Sequence, residues 1–420
     1  MQPGPEPFDP MTIDRGDRYA VFDRFRARGP AHMGPGAFPG MAATQYLFSR
    51  SLVEAMLTHP DILHAPQGPY HEVRNQLTSN PVFALLTGSM LLSDPPRHGV
   101  LRRPVAGLFT AGRLAALEAE IAVLARVNAD RCFKSAHFDL IRDFASPYAV
   151  GVLSTLLGFD IPDVAWLKSR TALIADALDF RGEFPLEAAN RASIELRDFA
   201  ASRMETPLPP ASLMGVLLAL EKDALLTRED VLNSCVLFLF AGQETVVDAI
   251  GNSALALARF PESAQELRGR PDLYPAAVEE LLRFDSPVQF AVARIAARDV
   301  TIGATEIGSG QPVIGVLGSA NHDPEWCEQP RTLDFHRRGK VHAPIFGSGI
   351  HACIGQHLAR MELKSFLEVF YAGDRPHWRL ELDRVERRRN VVFRGVTRAP
   401  VVVHPQDGAR AGTTTPAPRG

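Results

Sequence analysis

FGSGIHACIG, residues 346–355, sets a single cysteine among three glycines, directly before a stretch of helical periodicity, QHLARMELKSFLEVF, at 356–370. Glycine at that density implies tight turns or close approach of the backbone to a ligand. Cys353 therefore sits on a loop that runs into a helix N-terminus. Free backbone N–H groups and the positive end of the helix dipole favour a thiolate over a thiol there. Three plainer readings compete. A lone cysteine is most often a small buried hydrophobe. His351, Cys353 and His357 could bind zinc, but no second ligand cluster completes a tetrahedral site. A nucleophilic cysteine, with a histidine two positions away, is the third.

The next informative stretch upstream is residues 227–259. Thr227 and Asp230 have the spacing of a capping box. The following residues, VLNSCVLFLFAGQETVVDAIGNSALALARF, are apolar on nearly all faces, as in a helix buried within a large protein. At 1.5 Å per residue it spans roughly 50 Å. Its centre nevertheless holds Gly242, Gln243, Glu244 and Thr245. Glycine there costs about 1 kcal/mol relative to alanine, and a buried carboxyl costs more unless paired or protonated. Such local conflicts are expected at functional sites.

The rest of the chain sets the frame. With 420 residues, 46% of them hydrophobic, it can bury a large core. A net charge of −3 without a basic tract argues against nucleic acid or an anionic membrane surface as partner. Cys132, Cys235, Cys327 and Cys353 are far apart and form no CxxC, which suits a reducing compartment. The N-terminus, MQPGPEPFDP, lacks the layout of a signal peptide, and the apolar run 231–241 is too short to span a bilayer. The protein reads as soluble and cytoplasmic. Helical periodicity marks 114–131, 188–203 and 276–283. Strand-like alternation is confined to 300–307, 313–317 and 391–403. The expectation is a mainly α fold with small β-sheets. Residues 11–404 read as one domain between a flexible N-terminus (1–10) and a disordered tail (405–420).

The cysteine segment resembles the FGxGxHxCxG signature of the cytochrome P450 family at all six fixed positions: Phe346, Gly347, Gly349, His351, Cys353 and Gly355. Further matches follow in the family's order. Glu280 and Arg283 form an ExxR, one helical turn apart and so on one face. AGQET, 241–245, resembles the oxygen-activation motif. DPPRHGVLRR, 94–103, resembles DPPxHxxxR, with His98 and Arg102 one turn apart. Arg294 matches a further propionate-binding arginine. SANHDP, 319–324, resembles SANRDP with His322 in place of arginine.

The resemblance implies the cytochrome P450 fold, with its long central helix over a haem b (iron protoporphyrin IX). It implies Cys353 as the proximal thiolate, which pushes electron density toward iron and favours O–O cleavage. Phe346 would pack beside the sulfur, and Gly347 and Gly355 would let the loop lie against the porphyrin. His98, Arg102, Arg294 and His351 would bind the propionates, since charge-assisted bonds to carboxylate are strong. Glu280 and Arg283 would form a structural ion pair with Arg337 or Arg338 as third member. Glu244 would belong to the proton-delivery chain and Thr245 to oxygen activation; bonding of Thr245 back to the Ala241 carbonyl is the structural alternative.

The implied activity is a monooxygenase, inserting one oxygen atom from dioxygen into a small molecule by hydroxylation or epoxidation. No flavin or nicotinamide motif is visible, so electrons from NAD(P)H are expected through a separate ferredoxin and ferredoxin reductase. These would dock near Arg97, Arg103, Arg113 and Arg360 on a protein expected to be a monomer. Substrate would meet Phe240, Ala241, Val288, Gln289, Phe290, Ala291 and part of the loop 67–92. That surface is largely apolar, with Gln289 as its polar handle if it points inward. The substrate is therefore expected to be hydrophobic, such as a natural-product intermediate. The alternatives are peroxide-driven oxidation or radical coupling at the same centre, or a non-enzymatic haem-binding sensor.

Overall fold

The computed structural model describes residues 6–15, 17–36, 41–64, 78–180, 185–337 and 343–404. Its axis is the helix Arg228–Arg259. Thr227 caps it as the spacing predicts. The Asp230 N–H donates to Thr227 Oγ1 at 3.2 Å, and the Thr227 N–H donates to Asp230 Oδ2 at 2.9 Å. Two N–H groups that the helix cannot satisfy are thus satisfied reciprocally. Among the described residues this is the one helix long and apolar enough to cross a membrane, but its apolar faces are covered by protein. The helices Ser146–Leu157, Val164–Ala177 and Leu186–Arg203 pack along it. Gly242 permits this closeness: a Cβ there would lie 2.6 Å from Leu153 Cδ2.

On the cysteine side, the helix Gln356–Tyr371 packs against Ala111–Cys132, the ExxR helix Tyr274–Phe284 and the central helix. Phe370 anchors this layer, with ring centroids 4.6 Å from Phe144 and 5.1 Å from Phe366. The helices expected near 114–131, 188–203 and 276–283 all form, each a few residues longer than its periodic core.

β-structure is small and peripheral. A five-stranded sheet runs in the order Ala31–Gly34, Thr44–Leu47, Pro312–Gly315, Arg294–Ala296, Ile62–Leu63. Its second and third strands are parallel, Gln45 opposite Val313, and its other pairings are antiparallel. A three-stranded sheet joins His137–Asp139, Pro400–His404 and His377–Leu380. A short hairpin pairs Val300–Ile302 with Thr305–Ile307, and another pairs Glu386–Arg387 with Val396–Arg398. The latter returns to the central helix, where Asn252 Nδ2 donates to the Arg394 carbonyl at 2.8 Å.

Residues 6–10 are held in place: Phe8 is fully buried, its ring centroid 4.9 Å from Phe48 and 5.1 Å from Phe25. Proline content suggested flexibility over 1–10; within the described part, Phe8 fills an aromatic socket in the core. Residues 1–5 and the expected tail 405–420 lie outside the described residues.

The ExxR pair is fully internal. Arg283 Nε donates to Glu280 Oε2 at 2.7 Å and its Nη2 to Glu280 Oε1 at 2.8 Å. Arg337 Nε also donates to Glu280 Oε1, at 2.8 Å, and is the third member; Arg338 lies outside the described residues. Arg283 Nη1 further donates to the carbonyls of Asn321 (3.2 Å) and Pro330 (3.0 Å). His322 stacks on Tyr19 at 4.2 Å and bonds the Phe284 carbonyl through Nε2. Burial drives its pKa down to about 3, so it serves here as a neutral aromatic. Removing one partner of a buried pair leaves the other charge uncompensated, at about 3–5 kcal/mol. Arg283→Ala is therefore expected to lose about that much in urea unfolding, with soluble, haem-retaining protein recovered poorly.

Candidate active site

Two glycines of the cysteine loop have backbone angles that other residues rarely adopt: Gly347 at φ +69° and Gly349 at φ +72°. A Cβ on Gly349 would also lie 2.9 Å from the Leu57 carbonyl oxygen. The loop closes through the Cys353 N–H, which donates to the Phe346 carbonyl at 2.8 Å. Gly355 then caps the helix Gln356–Tyr371, and its N–H points at the Cys353 sulfur. Cys353 shows accessible surface although protein surrounds it closely enough to desolvate it. Burial pushes its thiol up, opposed by the Gly355 N–H and by Arg102 and Arg360. A free nucleophilic cysteine needs the opposite net shift. A strong cation beside the sulfur would be needed to hold a thiolate here.

Basic side chains converge next to this loop. Arg102 Nη2 donates to the Ala352 carbonyl at 2.5 Å, one residue from Cys353. Arg294 Nη1 donates to the Leu57 carbonyl at 2.9 Å. The His351 ring lies 4.3 Å from His98 and 4.7 Å from His64. Burial, followed by neighbouring cations, pushes all three imidazoles down, His351 to about 3. Burial likewise lowers Arg294, to about 10, with Asp94 opposing. His98 Nε2, His64 Nδ1 and Arg294 Nε are buried without a partner. A stranded guanidinium N–H and unpartnered imidazole nitrogens beside Arg102 and Arg294 suit a group that brings anionic oxygens. The residues present thus fit the two propionates and axial position of a haem. His64 was not anticipated, because a lone histidine in ILHAP carries no spacing signal.

In the central helix, Ala241, Gly242 and Thr245 keep accessible surface while Phe240, Gln243, Glu244 and Val246 are buried. Ala241 and Thr245, one helical turn apart, therefore leave one face partly open at the polar centre. Thr245 Oγ1 donates to the Ala241 carbonyl at 2.8 Å, the back-bond expected as the structural alternative. Glu244 turns away from Thr245's face. It accepts from Thr171 Oγ1 at 2.6 Å and forms an ion pair with Arg388. Arg388 also lies 3.6 Å from Asp248, and Thr171 is 2.8 Å from Gln243 Oε1. Arg388 was missed because ERRR at 386–389 reads as solvated surface; only its hairpin brings it inside.

Two of the expected pocket residues are engaged with the protein itself. Gln289 Nε2 donates to the Ser286 carbonyl at 2.7 Å and to the Tyr19 hydroxyl at 3.2 Å, while its buried Oε1 has no partner. Phe290 is fully buried, 5.2 Å from Phe180 and 5.9 Å from Phe22, and belongs to the aromatic core. Phe240 packs edge-on to Phe393 at 6.0 Å, and Val288 bridges the Phe393 backbone. Ala291 is buried, its N–H donating to the Gly315 carbonyl at 2.8 Å. Phe393 is thus a neighbour of the site that the sequence reading missed. Residues 67–77 of the expected loop lie outside the described residues. Of the four arginines expected on the docking face, Arg97 is paired with Asp230, Arg113 donates to the Ala211 carbonyl, and Arg360 pairs with Glu279 over the Phe346 ring.

Comparison with known proteins agrees with this architecture. Residues 272–370 match the family described as Cytochrome P450. The chain is 34% identical over 326 residues to a vitamin D(3) 25-hydroxylase of Pseudonocardia autotrophica, covering 76% of this chain and 79% of the relative. It is 34% identical over 321 residues to cytochrome P450 107B1 of Saccharopolyspora erythraea, covering 74% and 76%. The solved structure of the tirandamycin C-bound P450 monooxygenase TamI superposes with a TM-score of 0.80 at 29% identity, over 95% of this chain and all of the other. The chain belongs to the cytochrome P450 family. It is accordingly an oxidoreductase of the monooxygenase type that depends on haem iron, a small-molecule substrate and redox partners.

Charge-assisted hydrogen bonds contribute about 1.5–3 kcal/mol each. Arg294→Ala is expected to weaken haem retention roughly ten- to a hundredfold, read as faster haem transfer to an excess of acceptor apoprotein. Unchanged transfer would remove Arg294 from the propionate site.

Proposed function

We propose that this protein inserts one oxygen atom of dioxygen into a largely hydrophobic small molecule, a natural-product intermediate, by hydroxylation or epoxidation. The observation that carries the reading is the thiol of Cys353 on its glycine loop, with Arg102 bonded to the adjacent carbonyl and the unpartnered Arg294 Nε and imidazole nitrogens clustered beside it. In this reading the Cys353 sulfur would bind the haem iron, and His98, Arg102, Arg294 and His351, joined by His64, would hold the propionates of haem b. When bound, the haem iron supplies the centre at which dioxygen is activated.

The chain's own residues do the rest. Gly347 and Gly349 would let the loop backbone approach the group closely, and Phe346, with Arg360 over its ring, would lie beside the sulfur. Ala241 and Thr245 line the open face of the central helix, so a substrate meets mostly apolar surface there with few polar contacts. Phe240 and Phe393 add an aromatic wall. Thr245 offers a hydroxyl that can leave its back-bond to Ala241, and Glu244 holds a proton-exchanging carboxyl one residue away. The names of the relatives, a vitamin D(3) hydroxylase and a tirandamycin-bound monooxygenase, support a bulky hydrophobic substrate. Electrons come from NAD(P)H through a ferredoxin and its reductase, and the enzyme works as a cytoplasmic monomer. Arg103 is exposed and stands as the strongest of the four arginines for docking.

General acid–base groups typically contribute about 10²–10⁴-fold. With a substrate found by spin-state shift, Glu244→Gln and Thr245→Ala are each expected to lower product formed per NADPH consumed by at least about tenfold, with more peroxide released. Equal yields in both variants, or turnover by peroxide alone at the native rate, would contradict this reading.

A further inference from the structure

The central helix carries a second acid that the scheme above does not use. Asp248 lies one turn beyond Glu244 and is 1% exposed. Its Oδ2 has no hydrogen-bond partner, nor has the Nη1 of Arg388 that faces it at 3.6 Å. The other guanidinium nitrogen of Arg388, Nη2, holds Glu244. The fold leaves space for this carboxyl: a Cβ on Gly395 would lie 1.7 Å from Asp248 Oδ1. An isolated buried carboxyl is costly, and this one stands beside an arginine already bonded to a different acid.

We propose that Asp248 is a positioning residue for Glu244: the two acids share Arg388, and the charge on Asp248 sets how firmly that arginine holds Glu244. The inference rests on the reading of Glu244 as the proton-exchanging acid. Charged groups face Asp248 from three directions. Arg388 comes from the C-terminal hairpin, Glu244 from the same helix, and Lys168 from the helix Val164–Ala177. Asp176 acts on Arg388 and Asp139 on Lys168 from behind. While Asp248 is neutral, Arg388 is directed to Glu244 alone and clamps it away from the Thr245 side. Once Asp248 ionises, its carboxylate competes for the same guanidinium, and Glu244 is released to exchange protons on the Thr245 side. The pair behaves as one coupled site rather than as two independent acids.

The sign follows from the environment. Burial raises Asp248 to about 7, against 3.8 for an ordinary aspartate, with Glu244 adding and Arg388 and Lys168 opposing. The folded state thus keeps a proton that the unfolded chain releases. Asp248 favours folding at low pH, and that contribution is lost as pH rises from 3.8 through about 7.

The test uses the holoenzyme with a plant-type ferredoxin, its reductase and NADPH, measuring peroxide released per NADPH consumed from pH 5.5 to 8.5. The native enzyme is expected to show a step near pH 7, with less peroxide on the alkaline side. Asp248→Asn, neutral and of the same shape, is expected to lose the step and keep the acid-side value throughout. Infrared spectra of the resting protein are expected to show a protonated carboxyl band that disappears near pH 7 and is absent from the variant. A native profile unchanged in Asp248→Asn, while Glu244→Gln alters it, overturns the role of Asp248. No change in Glu244→Gln overturns the reading of Glu244 instead, and this inference with it. Should Asp248→Asn not fold, Gly395→Ala displaces the same carboxyl and is expected to move the midpoint; an unmoved midpoint contradicts the proposal.

Discussion

The structure depends on the buried ion triad of Arg283, Glu280 and Arg337. A carboxylate and two guanidinium groups inside protein are tolerable only when nearly every donor and lone pair is used. Here they are: Arg283 holds both oxygens of Glu280 and the Asn321 and Pro330 carbonyls, and Arg337 adds the Gln329 and Thr332 carbonyls. The triad fastens the irregular segment upstream of the cysteine loop to a helix that packs on the helix downstream of it. A loop with two glycines at positive φ has little rigidity of its own. Its position is set from both flanks.

The central helix is governed by the opposite problem, how to keep polar groups within an apolar rod. Asp230 does so through its cap, Asn252 by donating to the Asp285 and Arg394 carbonyls, and Glu244 through Thr171 and Arg388. The C-terminal hairpin supplies much of this satisfaction. It places Arg388 on the helix, Arg394 on Asp285, and Phe393 against Phe240. Site chemistry and hydrophobic packing thus meet on one small two-stranded element.

Much of this was legible in sequence where the signal was local. The Thr227 cap, the helix periods and the paired face of Glu280 and Arg283 depend on neighbours within a turn, and short-range rules read them well. The cysteine loop was legible because glycine positions report backbone angles. Phe8 was not, since a single aromatic after prolines gives no hint of the socket formed by Phe25, Tyr46 and Phe48. The partners of Gln289 Nε2, Ser286 and Tyr19, were not legible because they are decided by a turn and by a helix some 270 residues away. Arg388 and Asp248 are 140 residues apart in the chain and meet only through hairpin topology. No local pattern distinguishes such an arginine from one in solvent.

The most direct test of the central claim is the absorption spectrum of the reduced, carbon monoxide-bound protein, recorded beside Cys353→Ala. The account predicts a Soret band at the long wavelength typical of thiolate-ligated haem, lost in the variant. A band typical of histidine-ligated haem, the same band in both proteins, or well-folded protein that takes up no haem would contradict it.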